Sequence, residues 1–389
     1  MSTLVILESK SKIPKVQKYL GKDYIVTASF GHIRDLPHKD LSIDIDNNFT
    51  PNYQISEDKK QVVSNIKKLY KSLGKGGKVL LACDYDREGE SIAWHLSEIL
   101  KLKPTERKRM LFTEITKSAI VDSVKNAKPI DMDMVNAQQA RRLLDRLIGY
   151  TITPILWKHI QSSYKKDNSL SAGRVQSVVL KLILEREEEI KKFKSSSNFK
   201  INGNFTEKDG NKFVVDMNKE FDTKDKVIDI LKLCKKSKFT INDIKKKTSI
   251  RKPQQPFITS TLQQEASNKF KMSPKNTMKS AQILYENGYI TYMRSDSITL
   301  SSEAKENIKS FIQSNFGDDY YDNKEYKNKS ANCQEAHEAI RPCKIETEDI
   351  SKDPNMTKYE IKLYKLIWNR TIACQMSNAK VELVSNIIN

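Results

Sequence analysis

Within Asp84-Tyr85-Asp86-Arg87-Glu88-Gly89-Glu90, the carboxylates Asp84, Asp86 and Glu88 stand at positions i, i+2 and i+4 directly after the apolar run 78–83. In an extended segment that spacing puts all three on one face. Like charges so close repel unless protonated or neutralised, and a hard divalent cation with oxygen ligands is the usual resolution. Magnesium suits such a set, because it needs few carboxylates and completes its shell with water and phosphate. Glu88 or Glu90 alone is equally well explained as the acidic first turn of a helix, but the pair at the strand end is not. A second apolar run, residues 3–7, ends in Glu8. If both runs are strands of a parallel sheet, Glu8 reaches the same carboxyl edge, where α/β sheets hold ligands. The expected magnesium set is therefore Glu8, Asp84, Asp86 and Glu88.

Fifteen tyrosines occur, and most should be half-buried packing residues. Tyr292 differs in context, since Tyr289-Ile290-Thr291-Tyr292-Met293-Arg294-Ser295-Asp296-Ser297 puts a guanidinium two residues from a phenol, with an acid and hydroxyls beyond. A tyrosyl oxygen can attack a phosphodiester if the attack is assisted and the charge developing on phosphorus is clamped. Arg294 offers that clamp as a planar fork of donors. Spacing alone leaves packing and catalysis both open for Tyr292. ATP is not implied, because Gly74-Lys75-Gly76-Gly77-Lys78 lacks the Walker A spacing and precedes a strand rather than a helix.

The elements that must position these residues follow from the apolar pattern. Runs 3–7 and 78–83 read as strands buried on both faces, and Val62, Ile66, Leu69 and Ile92, Leu96, Leu100 read as helices between and after them. An α/β domain over 1–130, with a polar insertion near 36–57, is the result. A helical block spans 131–195, ending in a charged turn at Glu185-Arg186-Glu187-Glu188-Glu189. Residues 196–255 alternate like strands, with a turn at Asp209-Gly210, and pair in kind with a strand-like 375–389. Helices return over 256–374, the clearest at 274–286, where Ser273 can cap, Pro274 opens and Asn287-Gly288 stops the helix. A short strand is expected from Tyr289 to Met293. The fold class is α/β plus α+β, in several domains.

Lys and Arg number 68 against 49 Asp and Glu, a net charge of +19, over 389 residues that are 38% hydrophobic. That balance attracts polyanions, DNA or RNA first among them, although solvated lysine-rich helix faces contribute part of it. No apolar run reaches the ~20 residues of a membrane span. The chain reads as soluble and unexported, cytoplasmic or nucleoid-associated. Five cysteines, an odd number without any Cys-x-x-Cys pair, support neither a disulfide framework nor a zinc site.

An apolar strand ending in Glu, with Asp-x-Asp-x-Glu-Gly-Glu after a later strand, resembles the Toprim domain of primases and topoisomerases. The string CDYDREGESIAWHL at 83–96 and the Tyr292 segment resemble type IA DNA topoisomerases. Five further stretches carry the likeness along the chain: GHIRDLP (31–37), NAQQARRLLDRLIGY (136–150), LSAGRVQS (170–177), PFITSTLQQEAS (256–267) and QEAHEAIRP (334–342). Met293 after the tyrosine is similar to the topoisomerase I branch. Ser295 stands where Thr is common, Lys10 and Ser11 replace small or Pro residues, and the chain stops at Asn389 where relatives continue.

The resemblance implies a Toprim sheet, a helical base, a strand-rich arch and a helical cap carrying the tyrosine. It implies that Tyr292, Glu8, Lys12, Arg294 and His337 are catalytic and that magnesium, without ATP or zinc, is the cofactor. His32, Arg141, Arg142, Asp145, Asp296 and the run Ser171, Ala172, Gly173, Arg174, Val175 and Gln176 are implied to contact DNA. The implied reaction relaxes negatively supercoiled DNA through a 5′-phosphotyrosyl intermediate, by a monomer acting on single-stranded regions. A fragment that only binds or cuts single strands, and a Toprim nuclease or primase, are the alternatives.

Overall fold

The computed structural model describes residues 3–74, 76–160, 170–327 and 338–388. The expected active-site residue His337, together with Lys75 and Cys333, lies outside the described residues. Contacts divide the chain into two compact units, Met1–Gly173 with Lys252–Ala379, and Arg174–Arg251 with Lys380–Asn389. The helical segment 131–195 is thereby split between them.

The first unit opens with β1 (Thr3–Leu7), α1 (Ile13–Leu20) and β2 (Tyr24–Ala28). The insertion follows as two short antiparallel pairs, β3 (Arg34–Asp35) with β6 (Gln54–Ile55), and β4 (Ile43–Asp44) with β5 (Thr50–Pro51). Then come α2 (Lys60–Ser72), β7 (Lys78–Ala82), α3 (Arg87–Ile99), β8 (Lys108–Arg109), α4 (Lys117–Lys125), β9 (Lys128–Pro129) and α5 (Met132–His159). The sheet order is β2-β1-β7-β8-β9, parallel except for β8 with β9. β1 and β7 pair from Thr3 with Lys78 to Leu7 with Ala82, so Glu8 and Asp84 leave the sheet at one edge, as expected. Side chains alternate between two cores: Leu4, Ile6, Val79 and Leu81 face one, and Val5, Leu7, Leu80 and Ala82 the other. Both faces being covered is why these strands are continuously apolar.

The second of those cores is shared with the helices after residue 252. It contains Phe257, Leu262, Tyr285 and Tyr292, so the sheet underside and the tyrosine-bearing helices bury one apolar surface together.

The second unit contains α6 (Arg174–Lys192), the hairpin β10 (Asn202–Thr206) with β11 (Lys212–Asp216), α7 (Lys224–Lys236) and β12 (Ile241–Arg251). The acidic run Glu185–Glu189 is not a turn but lies inside α6. Gly210 turns the hairpin with φ +85°, as its Asp-Gly signal predicts. α7 falls in the stretch read as strands. Its partly buried Val227, Ile230 and Cys234 recur at helical spacing, a pattern masked by the lysines around them.

The first unit resumes with α8 (Thr259–Phe270), α9 (Pro274–Glu286), α10 (Ser302–Phe316) and α11 (Lys358–Cys374). The final strand β13 (Ala379–Ile388) pairs with β12. α9 starts and stops as expected: the Ser273 hydroxyl accepts from the Asn276 N–H, and Gly288 takes φ +65°. Residues 289–293 do not form a strand, however; a single bridge joins Ile290 to Pro342. Among the described residues, no helix is long and apolar enough to cross a membrane.

Gly89, in the first turn of α3, marks the closest backbone approach in this region. A Cβ there would lie 2.0 Å from the Asp84 carbonyl oxygen, a rigid backbone atom. Gly89→Ala is therefore expected to destabilise the protein by about 1–3 kcal/mol, the usual cost of overpacking, despite alanine's better helix propensity. Urea titration of both proteins checks this, and equal midpoints would contradict it.

Candidate active site

Backbone bonds to two different elements pin the Tyr292 segment. Thr291 N–H donates to the Arg341 carbonyl at 2.9 Å, while Tyr292 N–H donates to the Thr113 carbonyl at 2.8 Å. The side chain then points at the acidic loop, and its hydroxyl donates to Asp86 Oδ2 at 2.5 Å across 206 positions of sequence. Arg294 approaches the same oxygen from the other side, with Nη1 at 3.3 Å. The other Asp86 oxygen accepts the Gly89 N–H at 2.8 Å and caps α3. Lys12, wholly buried, forms an ion pair with Asp84, and the Asp84 N–H lies 3.4 Å from Glu8 Oε2.

The acidic string is not extended. It bends at residues 85–86 and enters α3 at Arg87, so Glu88 sits on a helix instead of sharing a strand face with the aspartates. There its Oε2 is held by His32 at 3.0 Å and Gln138 at 3.1 Å. The hydrogen bond from His32 is the main reason its carboxyl stays below the usual range. Glu8 behaves oppositely. Burial, then the charge of Asp84, raises it to about 7, and Lys12 only partly offsets this. Burial, followed by the charges of Asp86 and Asp84, also pushes the Tyr292 phenol far above its ordinary value. The resting phenol therefore stays protonated, with its hydroxyl hydrogen-bonded to Asp86.

Among the described residues, no three Asp, Glu, His or Cys side chains converge as a preformed metal cage. The donor chemistry nevertheless fits magnesium: Glu8, Asp84 and Asp86 supply hard oxygens whose mutual repulsion a cation would relieve, and Mg²⁺ is ordinarily held by one or two carboxylates plus phosphate. Glu88, engaged with His32 and Gln138, lines one cavity together with Asp86.

Three cavities adjoin this centre. One of about 340 Å³ is lined by His32, Arg34, Tyr53, Arg141, Arg142 and Asp145. A second, about 500 Å³, includes Glu88, Arg141, Arg294 and Asp296; a third, about 560 Å³, includes Glu8, Asp84 and Arg294. Arg141 and Glu88 line both the first and the second, and Arg294 both the second and the third, so neighbouring cavities share walls.

The chain is similar to known proteins along its length. The sequence model of the Toprim domain matches residues 3–115, and that of the DNA topoisomerase family matches residues 129–388. The chain belongs to the type IA DNA topoisomerases. A relative described as "DNA topoisomerase 1 type prokaryotic", from Acanthamoeba polyphaga mimivirus, is 47% identical over 406 residues, covering 98% of this chain and 46% of the relative. The full-length topoisomerase I structure from Thermotoga maritima matches with a TM-score of 0.83 and 35% identity, over 99% of this chain and 63% of that one. The chain therefore spans about half the length of the curated relative it matches.

Within this topoisomerase fold, the residues expected at the site divide into groups. Tyr292, Arg294, Asp86, Asp84, Lys12 and Glu8 come together at the sheet edge. His32, Arg141, Arg142 and Asp145 share the first cavity, where Arg142 forks onto Asp35 with contacts of 2.5–3.0 Å. Ser171, Ala172 and Gly173 lie in the loop before α6, where the Ala172 N–H donates to Thr153 Oγ1 at 3.0 Å. Arg174, Val175 and Gln176 open α6 in the other compact unit.

Several contributors escaped the sequence reading. Arg109, wholly buried in β8, pairs with Glu90 at 2.8 Å and donates to the carbonyls of Leu81, Cys83 and Asp84. Nothing in its local pattern distinguishes it from a surface arginine. Gln138 was visible within NAQQARRLLDRLIGY, but without a reason to single it out. His95 faces Arg34, whose Nε donates to its Nδ1 at 2.9 Å, and burial keeps this imidazole neutral.

Proposed function

We propose that this chain carries the cleavage and religation centre of an ATP-independent topoisomerase acting on single-stranded regions of negatively supercoiled DNA. The supporting observation is the 2.5 Å hydrogen bond from Tyr292 to Asp86, which joins a nucleophile to a proton acceptor beside Arg294. The Tyr292 oxygen attacks a backbone phosphorus, its proton passing to Asp86 Oδ2. As the new P–O bond forms, the bond to the 3′ oxygen breaks, and Glu8 supplies the proton that makes this leaving group a 3′-hydroxyl. Religation reverses each transfer, so no bond energy is lost to water. Arg294 and Lys12 stabilise charge on the phosphoryl oxygens. Lys12 must release Asp84 to do so, making substrate phosphate a competitor for its ion pair.

Glu8, Asp84 and Asp86 would hold magnesium, which supplies positive charge that positions and neutralises phosphate oxygens. Magnesium titration is expected to raise the thermal midpoint of the wild-type protein and to leave Asp84→Asn/Asp86→Asn unmoved at its own, lower midpoint. An equal rise in both would place the ion elsewhere.

The basic track of His32, Arg141 and Arg142 receives the strand, and association should weaken by roughly 0.7 log unit per log unit of salt for each phosphate neutralised. A monomer inside the cell completes the reading. Incubation with negatively supercoiled plasmid and magnesium, stopped by denaturant, tests it: protein attached to 5′ ends is expected. Nicks or primers without attached protein would favour a Toprim nuclease or primase, and binding without cleavage a non-cycling fragment.

A further inference from the structure

We propose that Tyr285 is a positioning residue whose aromatic ring holds both Tyr292 and Lys12 in place for strand cleavage. It lies in the last turn of α9 and is wholly buried. Its ring meets that of Tyr292 in a T-shaped contact, with centroids 5.1 Å apart and planes at 66°. The Lys12 ammonium stands 4.6 Å from the same ring's centroid. One side chain thus touches the nucleophile and the buried cation, which are 280 positions apart in sequence.

Ring electrostatics explain why an aromatic residue belongs there. An aromatic face is electron-rich, which attracts an ammonium, and edge-to-face geometry suits a second ring. Lys12 is shut off from bulk solvent; it pairs with the Asp84 carboxylate, lies beside the Tyr285 ring and acts on the nearby Glu8 carboxyl. When Lys12 exchanges Asp84 for a phosphate, the ring contact stays in place, since it does not involve the carboxylate.

The hydroxyl of Tyr285 contributes no such contact. It is buried and has no hydrogen-bond partner among the described residues. The ring, not the hydroxyl, is the working part.

The local backbone fixes the ring on a rigid support. Gly288 N–H donates to the Tyr285 carbonyl at 2.7 Å, and Tyr289 N–H to the Leu284 carbonyl at 2.9 Å, closing the turn that leads directly to Tyr292. Gly288 can make that turn because it accepts φ +65° and has no Cβ to press on the Ile115 carbonyl, which would be 2.8 Å away. Helix end, ring and nucleophile are therefore built as one piece.

This inference rests on Tyr292 being the nucleophile, and the test separates the two. Single-turnover formation of the covalent adduct is timed on a labelled single-stranded oligonucleotide, with affinity measured by anisotropy and folding by circular dichroism. Tyr285→Leu is expected to slow adduct formation about 10- to 100-fold, the scale of a misplacement near 1 Å, with affinity within about twofold of wild type. Tyr285→Phe, which keeps the ring, should restore the rate to within about threefold. Tyr285→Met fills similar volume without a π face and should resemble Leu, covering the case in which Leu folds poorly. Wild-type rates in both Leu and Met variants, or a Phe variant as slow as they are, would overturn the assignment. Absence of adduct in the wild-type protein would instead overturn the reading of Tyr292, and this one with it.

Discussion

Tyr292→Phe is expected to eliminate the protein–DNA adduct, lowering cleavage by roughly four orders of magnitude or more, the scale of deleting an enzyme nucleophile. Affinity for a single-stranded oligonucleotide should stay within about twofold, because the phenol bonds to protein rather than pointing into the track. The substitution removes one hydroxyl from a buried ring with otherwise unchanged contacts. Asp86 loses its shortest hydrogen bond yet keeps Arg294 and the Gly89 N–H, so folding should survive. Denaturing electrophoresis of labelled DNA after incubation with magnesium reads the adduct directly. An adduct persisting in the Phe variant would mean that another hydroxyl attacks. Tyr285 meets Tyr292 ring to ring in the same core, but its hydroxyl is buried with no hydrogen-bond partner among the described residues, so no proton acceptor stands beside it.

The electrostatics around Tyr292 bear on when it acts. Burial, then the charges of Asp86 and Asp84, oppose a phenolate, and the Arg294 charge favours one. A free phenolate therefore does not accumulate; charge can leave the oxygen only as a bond to phosphorus forms and the proton moves to Asp86. Incoming DNA that draws Lys12 from Asp84 rearranges the charge facing the phenol. On the proposed reading, cleavage is thereby coupled to the arrival of the substrate phosphate.

Much of this centre was legible in the sequence because its residues are tied to local signals. Two apolar runs ending in acid predicted the parallel edge that brings Glu8 and Asp84 together, since strands buried on both faces admit no polar interruption. Ser273, Pro274 and Gly288 fixed the ends of α9 because caps are written in the residues that make them. The acidic string was harder. Its alternation is the same whether the segment runs straight or turns into a helix, and what decides is Asp86 capping Gly89, a bond visible only once the backbone bends. The Tyr292 segment looked like a strand because Ile, Thr and Tyr favour one, but it lacks a neighbour to complete a ladder and is held by carbonyls on either side. The contacts that join the halves of the site, Tyr292 to Asp86 and Tyr285 to Lys12, span more than 200 residues and leave no periodic trace.

Arg109 is the clearest case of such a contact, and Arg109→Met should cost about 3–5 kcal/mol, the usual penalty for breaking one side of a buried ion pair. Its loss strands Glu90, itself only 2% exposed, without a counter-charge. It also leaves the carbonyls of Leu81, Cys83 and Asp84 without donors they held at 2.7, 3.1 and 3.1 Å. Those carbonyls line the exit of β7, so the acidic loop would lose the bonds that fix where Asp84 and Asp86 stand. Cleavage is expected to fall about 100-fold even under conditions where the variant remains folded, because misplacing a reacting group by an ångström has that effect. Adding Glu90→Leu should recover only part of the stability. Removing the stranded charge helps, as replacing a buried pair by apolar groups often does, but the Cys83 and Asp84 carbonyls still lack the donor that Arg109 gave them and the Asp131 N–H loses its acceptor, Glu90 Oε1 at 2.8 Å. Urea midpoints for the single and double variants, read beside adduct formation, separate these contributions. Full recovery in the double variant would mean that the pair alone mattered, whereas stability regained without cleavage would show that Arg109 holds the loop in place for catalysis as well as stabilising the fold.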